Sequence, residues 1–160
     1  MSTSYSAYSV EEDIEIFFKQ TSATRAECDA KAKELAGSKL APIAVQGACS
    51  YSIYAGADLE YVVQFRLESL ALQSDAMSLA SAISGSLVPT VYYRGTIGVG
   101  DRPLHIYSMG RVRGVTRLDF ILAHGHPADF DDNVAWRRTL MGNVAQWVVS
   151  IAGVARHEDY

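Results

Sequence analysis

The chain lacks the features that mark membrane-spanning, secreted and nucleic-acid-binding proteins. No apolar run approaches the roughly 20 residues that a bilayer span needs. The start, MSTSYSAYSVEED, has no basic region followed by an apolar stretch, so it predicts no secretory signal. The net charge of -4 gives no general attraction for nucleic acid or acidic lipid. We therefore expect a cytoplasmic protein without membrane or nucleic-acid partners.

Cysteine is scarce, because the chain contains only Cys28 and Cys49. The local pattern places Cys28 in a helix and Cys49 in a strand. Two buried free thiols in a reducing compartment are favoured over a disulfide. Cysteine and histidine form no cluster with the spacing of metal ligands, so we predict no metal site and no cofactor.

The composition is that of a globular protein. The chain has 160 residues, of which 49% are hydrophobic and 20% charged, enough to build one buried core. No internal repeat or linker is visible. We expect a single domain over residues 1–160, with a polar and flexible segment over residues 1–12.

Local signals predict the elements of an α+β fold. Thr24 and Glu27 form a capping box for a helix that ends at Gly37. Alternation in ACSYSIYAG and EYVVQFR predicts a hairpin, and helical spacing predicts a helix over 67–84. Further elements are a strand at PIAVQ, the strands TVYYRG and LHIYSM, a short helix over 118–123 and a long helix over 132–152. Together they predict an antiparallel sheet of about five strands with packed helices and a long C-terminal helix.

The Gly-rich segment GTIGVG, at 95–100, resembles a phosphate-binding loop only superficially. It lacks the lysine and the strand-to-helix context of such a loop. We therefore interpret it as a hairpin turn.

Four groups of side chains are candidates for binding or chemistry. His124 and His126 lie among acidic residues. They are either general acid or base groups, or part of a solvated loop before the last helix. His105 alternates with Leu104 and Ile106, so it points to the opposite face of its strand. Arginines over 111–117 fit an anionic ligand or ordinary solvated charges. Tyrosines recur on the strands, either as packing residues or as the lining of a pocket for an aromatic ligand: Tyr51, Tyr54, Tyr61, Tyr92, Tyr93 and Tyr107.

Five strings in order resemble the fungal branch of the aminoglycoside phosphotransferase and choline kinase-like family: VQGACSYSIY, YVVQFR, GSLVPTVYY, PLHIYSMGRVRGVTRLDF and WRRTLMGNVAQWVVS. The resemblance covers about residues 25–150 and implies a kinase-like small (N-terminal) lobe. It implies that residues 47–50 lie at the nucleotide-covering turn. Gln64 or Arg66 would stand where kinases place the phosphate-pairing lysine, and residues 109–114 would form the adenine-binding hinge.

The sequence departs from the family where phosphoryl transfer requires specific groups. Such transfer needs a positioning carboxylate and ligands for magnesium, which the family supplies from its large lobe. The chain stops at Tyr160, before any matching segment, and YVVQFR contains no lysine. Residues 70–84 of the predicted helix include Asp75 as their only acid, so the usual lysine–glutamate ion pair is missing. We predict that the chain alone is not a phosphotransferase.

Two classes of function fit these departures. The favoured one is a small-molecule enzyme of fungal secondary metabolism, which binds an apolar or aromatic metabolite and catalyses a cyclisation or isomerisation. The alternatives are a non-catalytic pseudokinase module and one half of a split kinase. A homodimer is expected to cover the face that a large lobe would occupy. The catalytic candidates are His105, Tyr51, Arg66, His124 and His126, and the ligand-binding candidates are Gln64, Tyr61, Tyr107, Met109 and Arg111.

Overall fold

A computed structural model describes residues 8–37, 39–85, 88–114, 134–135 and 138–146. In this part of the chain, three α-helices, a short 3-10 turn and five strands follow one another, and residues 134–135 and 138–146 are also helical. The elements are α1 (Val10–Phe18), α2 (Arg25–Ala36), β1 (Leu40–Pro42), β2 (Ser50–Ala55), β3 (Tyr61–Leu67), a 3-10 turn (Glu68–Leu70), α3 (Ser74–Ser84), β4 (Val91–Ile97) and β5 (Leu104–Gly110).

The described residues belong to two compact units. One unit contains the residues up to Met77 together with Pro89–Arg111, which include all five strands. The other contains Ser78–Val88 and the described residues from Val112 onward. The site described below lies entirely within the first unit.

The five strands form one antiparallel sheet in the order β1-β2-β3-β5-β4. This confirms the predicted α+β class and the predicted antiparallel sheet of about five strands. Because successive side chains of a strand point to opposite faces, the sheet has two faces of different character. One, which we call the core face, packs against α1 and α2.

The core face is closely packed and apolar. Phe65 and Ile106 are opposite one another on β3 and β5, and both are fully buried. Cys28 on α2 is also fully buried, and loss of water around the thiol raises its pKa to about 12. The core comprises Ile14, Phe17, Ala23, Cys28, Ala32, Tyr51, Ile53, Ala55, Val63, Phe65, Leu104 and Ile106.

The predicted capping of α2 is confirmed. The Thr24 hydroxyl accepts a hydrogen bond from the backbone nitrogen of Glu27 at 3.3 Å, and the Glu27 carboxylate accepts one from the Thr24 nitrogen at 2.7 Å. The second bond stabilises the charged carboxylate and lowers the pKa of Glu27. At the other end, Gly37 has a φ of 103° and donates its N–H to the carbonyl of Lys33.

The GTIGVG segment lies at the β4–β5 hairpin, as predicted. Gly95 coincides with a register shift within β4, and Gly98 follows that strand. A Cβ at Gly98 would lie 2.7 Å from the Ser22 hydroxyl, because the turn packs against the α1–α2 connection. The Arg102 carbonyl accepts hydrogen bonds from Thr21 and Ser22 and holds this contact in place.

Several predicted boundaries are wrong. Residues 10–12 are helical rather than flexible, because the Ser9 hydroxyl caps α1 and three acids favour its first turn. The first strand is Leu40–Pro42 instead of PIAVQ. Beyond Pro42, the side-chain amide of the buried Gln46 donates hydrogen bonds to the carbonyls of Ile43 and Ser52 and accepts one from the Ser52 nitrogen. Because of these hydrogen bonds, the chain turns away from the sheet.

Two further predictions differ from the structure. The helix expected over 67–84 is divided into the 3-10 turn Glu68–Leu70 and α3. Both cysteines are free, but Cys49 is half-buried and precedes β2.

Other predictions lie wholly or partly outside the described residues. These include the short helix over 118–123, His124, His126, residues 1–7, and residues 132–133, 136–137 and 147–152 of the predicted last helix.

Candidate functional site on the polar face of the sheet

The face opposite the core, which we call the polar face, carries three cross-strand rows of side chains from β2, β3, β5 and β4. Directly opposed residues of neighbouring strands have Cβ atoms about 4.5–5.5 Å apart, so each row is continuous. Rows are separated by two residues along each strand, or about 6.6 Å. The charged row is Ser50, Arg66, His105 and Thr96; the amide row is Ser52, Gln64, Tyr107 and Tyr93; the apolar row is Tyr54, Val62, Met109 and Val91.

Gln64 links the charged row to the amide row. Its Nε2 donates to the hydroxyls of Ser50 at 3.3 Å and Ser52 at 3.1 Å, and its Oε1 accepts from Arg66 Nη1 at 3.0 Å. Both serines are buried, and their hydroxyl oxygens are 3.4 Å apart. Gln64 therefore fixes one side of the Arg66 guanidinium.

A backbone carbonyl fixes the other side of the guanidinium. Arg66 Nε donates to the Leu70 carbonyl at 2.7 Å, so the segment after β3 folds onto the polar face. The same segment contacts the amide row, because the Leu72 nitrogen donates to the Tyr107 hydroxyl at 3.0 Å. Arg66 is thus held by two neutral acceptors in a single orientation.

Arg66 has no acidic partner within the part of the chain that the structure describes. No described carboxylate lies within 4.0 Å of its nitrogens, and its Nη2 makes no hydrogen bond to a described residue. The side chains of the three rows include no aspartate or glutamate. A half-buried guanidinium in such surroundings favours an anion, since Arg binds carboxylates and phosphates with paired N–H donors.

His105 lies beside Arg66 and contacts one aromatic ring, that of Tyr93. His105 is the cross-strand neighbour of Arg66, and its ring centre lies 5.7 Å from that of Tyr93. Tyr93 also contacts the ring of Tyr107 at 5.5 Å, so it bridges two rows. His105 is half-buried and Tyr93 is 56% exposed, which leaves a ring surface open beside the imidazole.

The apolar row continues this surface towards the end of β5. Arg111 stacks its guanidinium 3.8 Å from the centre of the Tyr54 ring and donates Nη1 to the Leu59 carbonyl at 3.4 Å. Its backbone nitrogen donates to the Glu60 carbonyl at 2.8 Å, which fixes the chain just beyond β5. The side chain of Arg111 therefore lies over the Tyr54 ring at one end of the apolar row.

The structure brings six of the ten predicted site residues together on or beside the polar face: Gln64, Arg66, His105, Tyr107, Met109 and Arg111. Tyr51 and Tyr61 lie on the opposite face. His124 and His126 are outside the described residues.

Tyr51 has a packing role on the core face. Its side chain is 1% exposed, and its hydroxyl donates to Asp29 Oδ1 at 2.9 Å. Burial, followed by the hydrogen bond to Asp29, raises the pKa of this hydroxyl. Tyr61 is 44% exposed at the start of β3. Neither side chain can contact a ligand that lies on the polar face, because the sheet is between them.

Sequence reasoning missed the serines that organise this face. Ser50 and Ser52 are recognisable by their alternation with Tyr51 and Ile53, and the same alternation extends to Tyr54. Their hydrogen bonds to Gln64 depend on the β2–β3 register, which pairs Ser52 with Gln64. A prediction of the site therefore required the register as well as the alternation.

Comparison with known proteins identifies no relative of this chain. A scan against models of protein families, a search of curated proteins and a search of solved structures each find no match for this chain. Among the described residues, no group of three or more His, Cys, Asp or Glu side chains is placed to hold a metal ion. None of the described helices is long and apolar enough to cross a bilayer.

Proposed function

We propose that the chain binds a small aromatic metabolite with an anionic group on the polar face and catalyses its isomerisation or cyclisation. The observation that carries this proposal is the gradient across the three rows. A row containing the positively charged Arg66 beside His105 is followed by a neutral polar row and then by an apolar row. A ligand with a charged head and an aromatic body matches that gradient over about 13 Å.

The head group of this ligand contacts Arg66. Its guanidinium is already oriented by Gln64 and by the Leu70 carbonyl, so binding an anion costs little side-chain entropy. The body of the ligand lies against Tyr93 and the half-buried Met109. Aromatic rings and methionine give large contact areas to flat apolar molecules.

His105 supplies the proton transfer in this proposal. An imidazole is the side chain that most often acts as a general acid or base. It removes a proton from one position of the ligand and returns it at another, so the reaction needs no oxidant, reductant or co-substrate. Arg66 stabilises the negative charge that develops between the two steps, because it is the cross-strand neighbour of His105.

The family resemblance supports the location of the site but not phosphoryl transfer. The observed order, with α3 between the β2–β3 and β4–β5 hairpins, is the order that the resemblance implies. Gln64 and Arg66 stand on the return strand, where the resemblance places a phosphate-pairing lysine, and α3 contains Asp75 but no glutamate. We therefore propose a kinase-like small lobe with a non-phosphoryl activity.

A non-catalytic nucleotide-binding module is the alternative. It is favoured by Met109 and Arg111, which lie at the end of β5, in the segment that the resemblance identifies as the adenine-binding hinge. Arg66 would then contact phosphate and the apolar row would contact adenine. Binding of a nucleotide without turnover distinguishes this alternative from the enzyme.

We also propose that a second copy of the chain covers the polar face. The exposed ring of Tyr93 supports this idea, since exposed aromatic side chains are common at interfaces. Light scattering at several concentrations measures the mass, which should be that of a dimer. A monomer at every concentration would contradict this part of the proposal.

The proposal is tested with matched probes and the full chain. We expect 2-naphthoate to raise the melting temperature and its neutral counterpart 2-naphthamide to do so much less, because only the carboxylate pairs with Arg66. Magnesium ATP should neither raise it nor be hydrolysed. Stabilisation by ATP without hydrolysis would favour the nucleotide module, and ATP hydrolysis by the chain alone would contradict both readings.

A further inference from the structure

A second concave site lies on the other side of the sheet. A surface pocket of about 290 Å³ opens between α2 and the strands β1 and β2. This volume is close to the lower end of the range for small-molecule sites, about 300–1,000 Å³, and suits a molecule of amino-acid size. The lining residues are Arg25, Asp29, Lys33, Leu40, Pro42, Tyr51 and Ile53.

One wall of this pocket is charged. Arg25, Asp29 and Lys33 follow one another at four-residue spacing on α2, so they lie on the same side of the helix. Arg25 is neutralised outside the pocket, because its guanidinium pairs with Glu11. That hydrogen-bonded pair, the largest influence on Arg25, raises the pKa of the guanidinium.

Two charged side chains of this wall, Asp29 and Lys33, can still bind a ligand. Asp29 Oδ1 accepts the Tyr51 hydroxyl, but Oδ2 has only Arg25 Nε at 4.0 Å, beyond hydrogen-bond distance. The Lys33 ammonium has no ion pair to any described carboxylate. The pocket therefore presents one open acceptor with negative charge and one open donor with positive charge, a turn of helix apart.

The facing wall is apolar. Leu40 and Pro42 of β1 and the fully buried Ile53 of β2 form it, and Pro42 pairs with Ile53 in the sheet. A side chain without polar groups is the complement of this wall. Together the two walls require a positive group, a negative group and an apolar body in one small molecule.

We propose that this pocket binds a free amino acid with an apolar side chain. Its ammonium group pairs with Asp29, its carboxylate pairs with Lys33, and its side chain packs against Leu40 and Pro42. A molecule with only one charge forms only one of these two ion pairs, which weakens its binding. The proposal is independent of the polar face, because the sheet separates the two sites.

Three ligands with the same isobutyl group test the charge requirement. Calorimetric or NMR titration of the full chain compares L-leucine with 4-methylpentanoate, which lacks the ammonium group, and 3-methylbutylamine, which lacks the carboxylate. We expect L-leucine to bind about tenfold more tightly than either analogue. Equal affinity for the three, or no binding of L-leucine at tens of millimolar, overturns the proposal.

Variants locate the binding. Lys33→Gln and Asp29→Asn should each weaken L-leucine about tenfold. Lys31→Gln is the matched control, because Lys31 pairs with Glu34 and does not line the pocket; it should leave the affinity unchanged. Lys33 is exposed, so its variant retains the fold even where Asp29→Asn disturbs Tyr51. An equal loss in Lys31→Gln would contradict the assignment, whereas Arg66→Gln tests only the polar face.

Discussion

The two faces of the same sheet show how alternate residues of one strand serve different purposes. On β2, Tyr51 and Ile53 enter a core in which the Tyr51 hydroxyl is bonded to Asp29. Between them, Ser52 joins a hydrogen-bonded network with Gln64, and the neighbouring Arg66 retains a positive charge without a described counterion. The side chains of the core face satisfy one another, whereas the Arg66 guanidinium on the polar face keeps an unused donor group. The difference places most of the buried apolar surface on the core face and supports the ligand site that we propose on the polar face.

The largest effect on the free energy of unfolding should come from truncating a buried side chain on the core face. Phe65→Ala removes a fully buried ring between β2 and β5 and should lower the free energy of unfolding by about 3–5 kcal/mol. Val62→Ala, three residues earlier and half-buried on the polar face, should cost about 1 kcal/mol. Urea denaturation measures both, and equal losses would remove the distinction between the faces.

A smaller effect should come from the turn that supports the helices of the core face. Gly98→Ala combines a φ of 99° with a Cβ contact of 2.7 Å, whereas Gly95→Ala has a φ of 96° and no neighbour within 4 Å. Both variants strain the backbone, but only the first has a steric clash. We expect Gly98→Ala to lower the free energy of unfolding by about 1 kcal/mol more than Gly95→Ala. Equal values in denaturation experiments would contradict the close packing of this turn.

Breaking the network of the polar face should be milder still. Gln64→Leu removes three hydrogen bonds, but the hydroxyls of Ser50 and Ser52 can then bond each other. We expect a loss of about 1 kcal/mol in the free energy of unfolding. Gln20→Leu, which removes one exposed hydrogen bond, should change it by about 0.5 kcal/mol or less. Retained anion binding in Gln64→Leu would show that Gln64 does not orient Arg66.

The smallest effect concerns pH and the cap of α2. Hydrogen bonds from Thr24 lower the pKa of Glu27, so this carboxylate stabilises the folded chain above the unfolded pKa of about 4.3. The contribution is lost as the pH falls from that value through the lower folded pKa. The stability difference between the wild type and Glu27→Gln should therefore be present at pH 7 and vanish in strong acid. A difference that persists there would contradict the assignment.

Local chemistry explains which parts of the fold were predictable. The capping box of α2, the β2–β3 hairpin and the orientation of His105 follow from residues within a few positions of one another. The first strand was misplaced because Gln46 bonds backbone groups at Ile43 and Ser52, and the sequence pattern contains no sign of those contacts.

The site was predictable only in part, for a related reason. Alternation separates His105 from Ile106, but the meeting of Arg66 with His105 depends on the register between β3 and β5. Tyr51 and Gln64 are both predicted site residues, yet the strand register places them on opposite faces of the sheet. The pocket beside α2 was missed because its walls, α2 and β1–β2, meet only in the folded chain.

The central claim is that Arg66 receives an anion on the polar face. Titration of 2-naphthoate into Arg66→Gln and into Arg94→Gln tests it most directly, because Arg94 is on the same sheet but lies over Tyr92 on the opposite face. We predict that Arg66→Gln weakens binding at least about tenfold and that Arg94→Gln binds as the wild type does. Unchanged binding in Arg66→Gln, or equal losses in both variants, would contradict the claim.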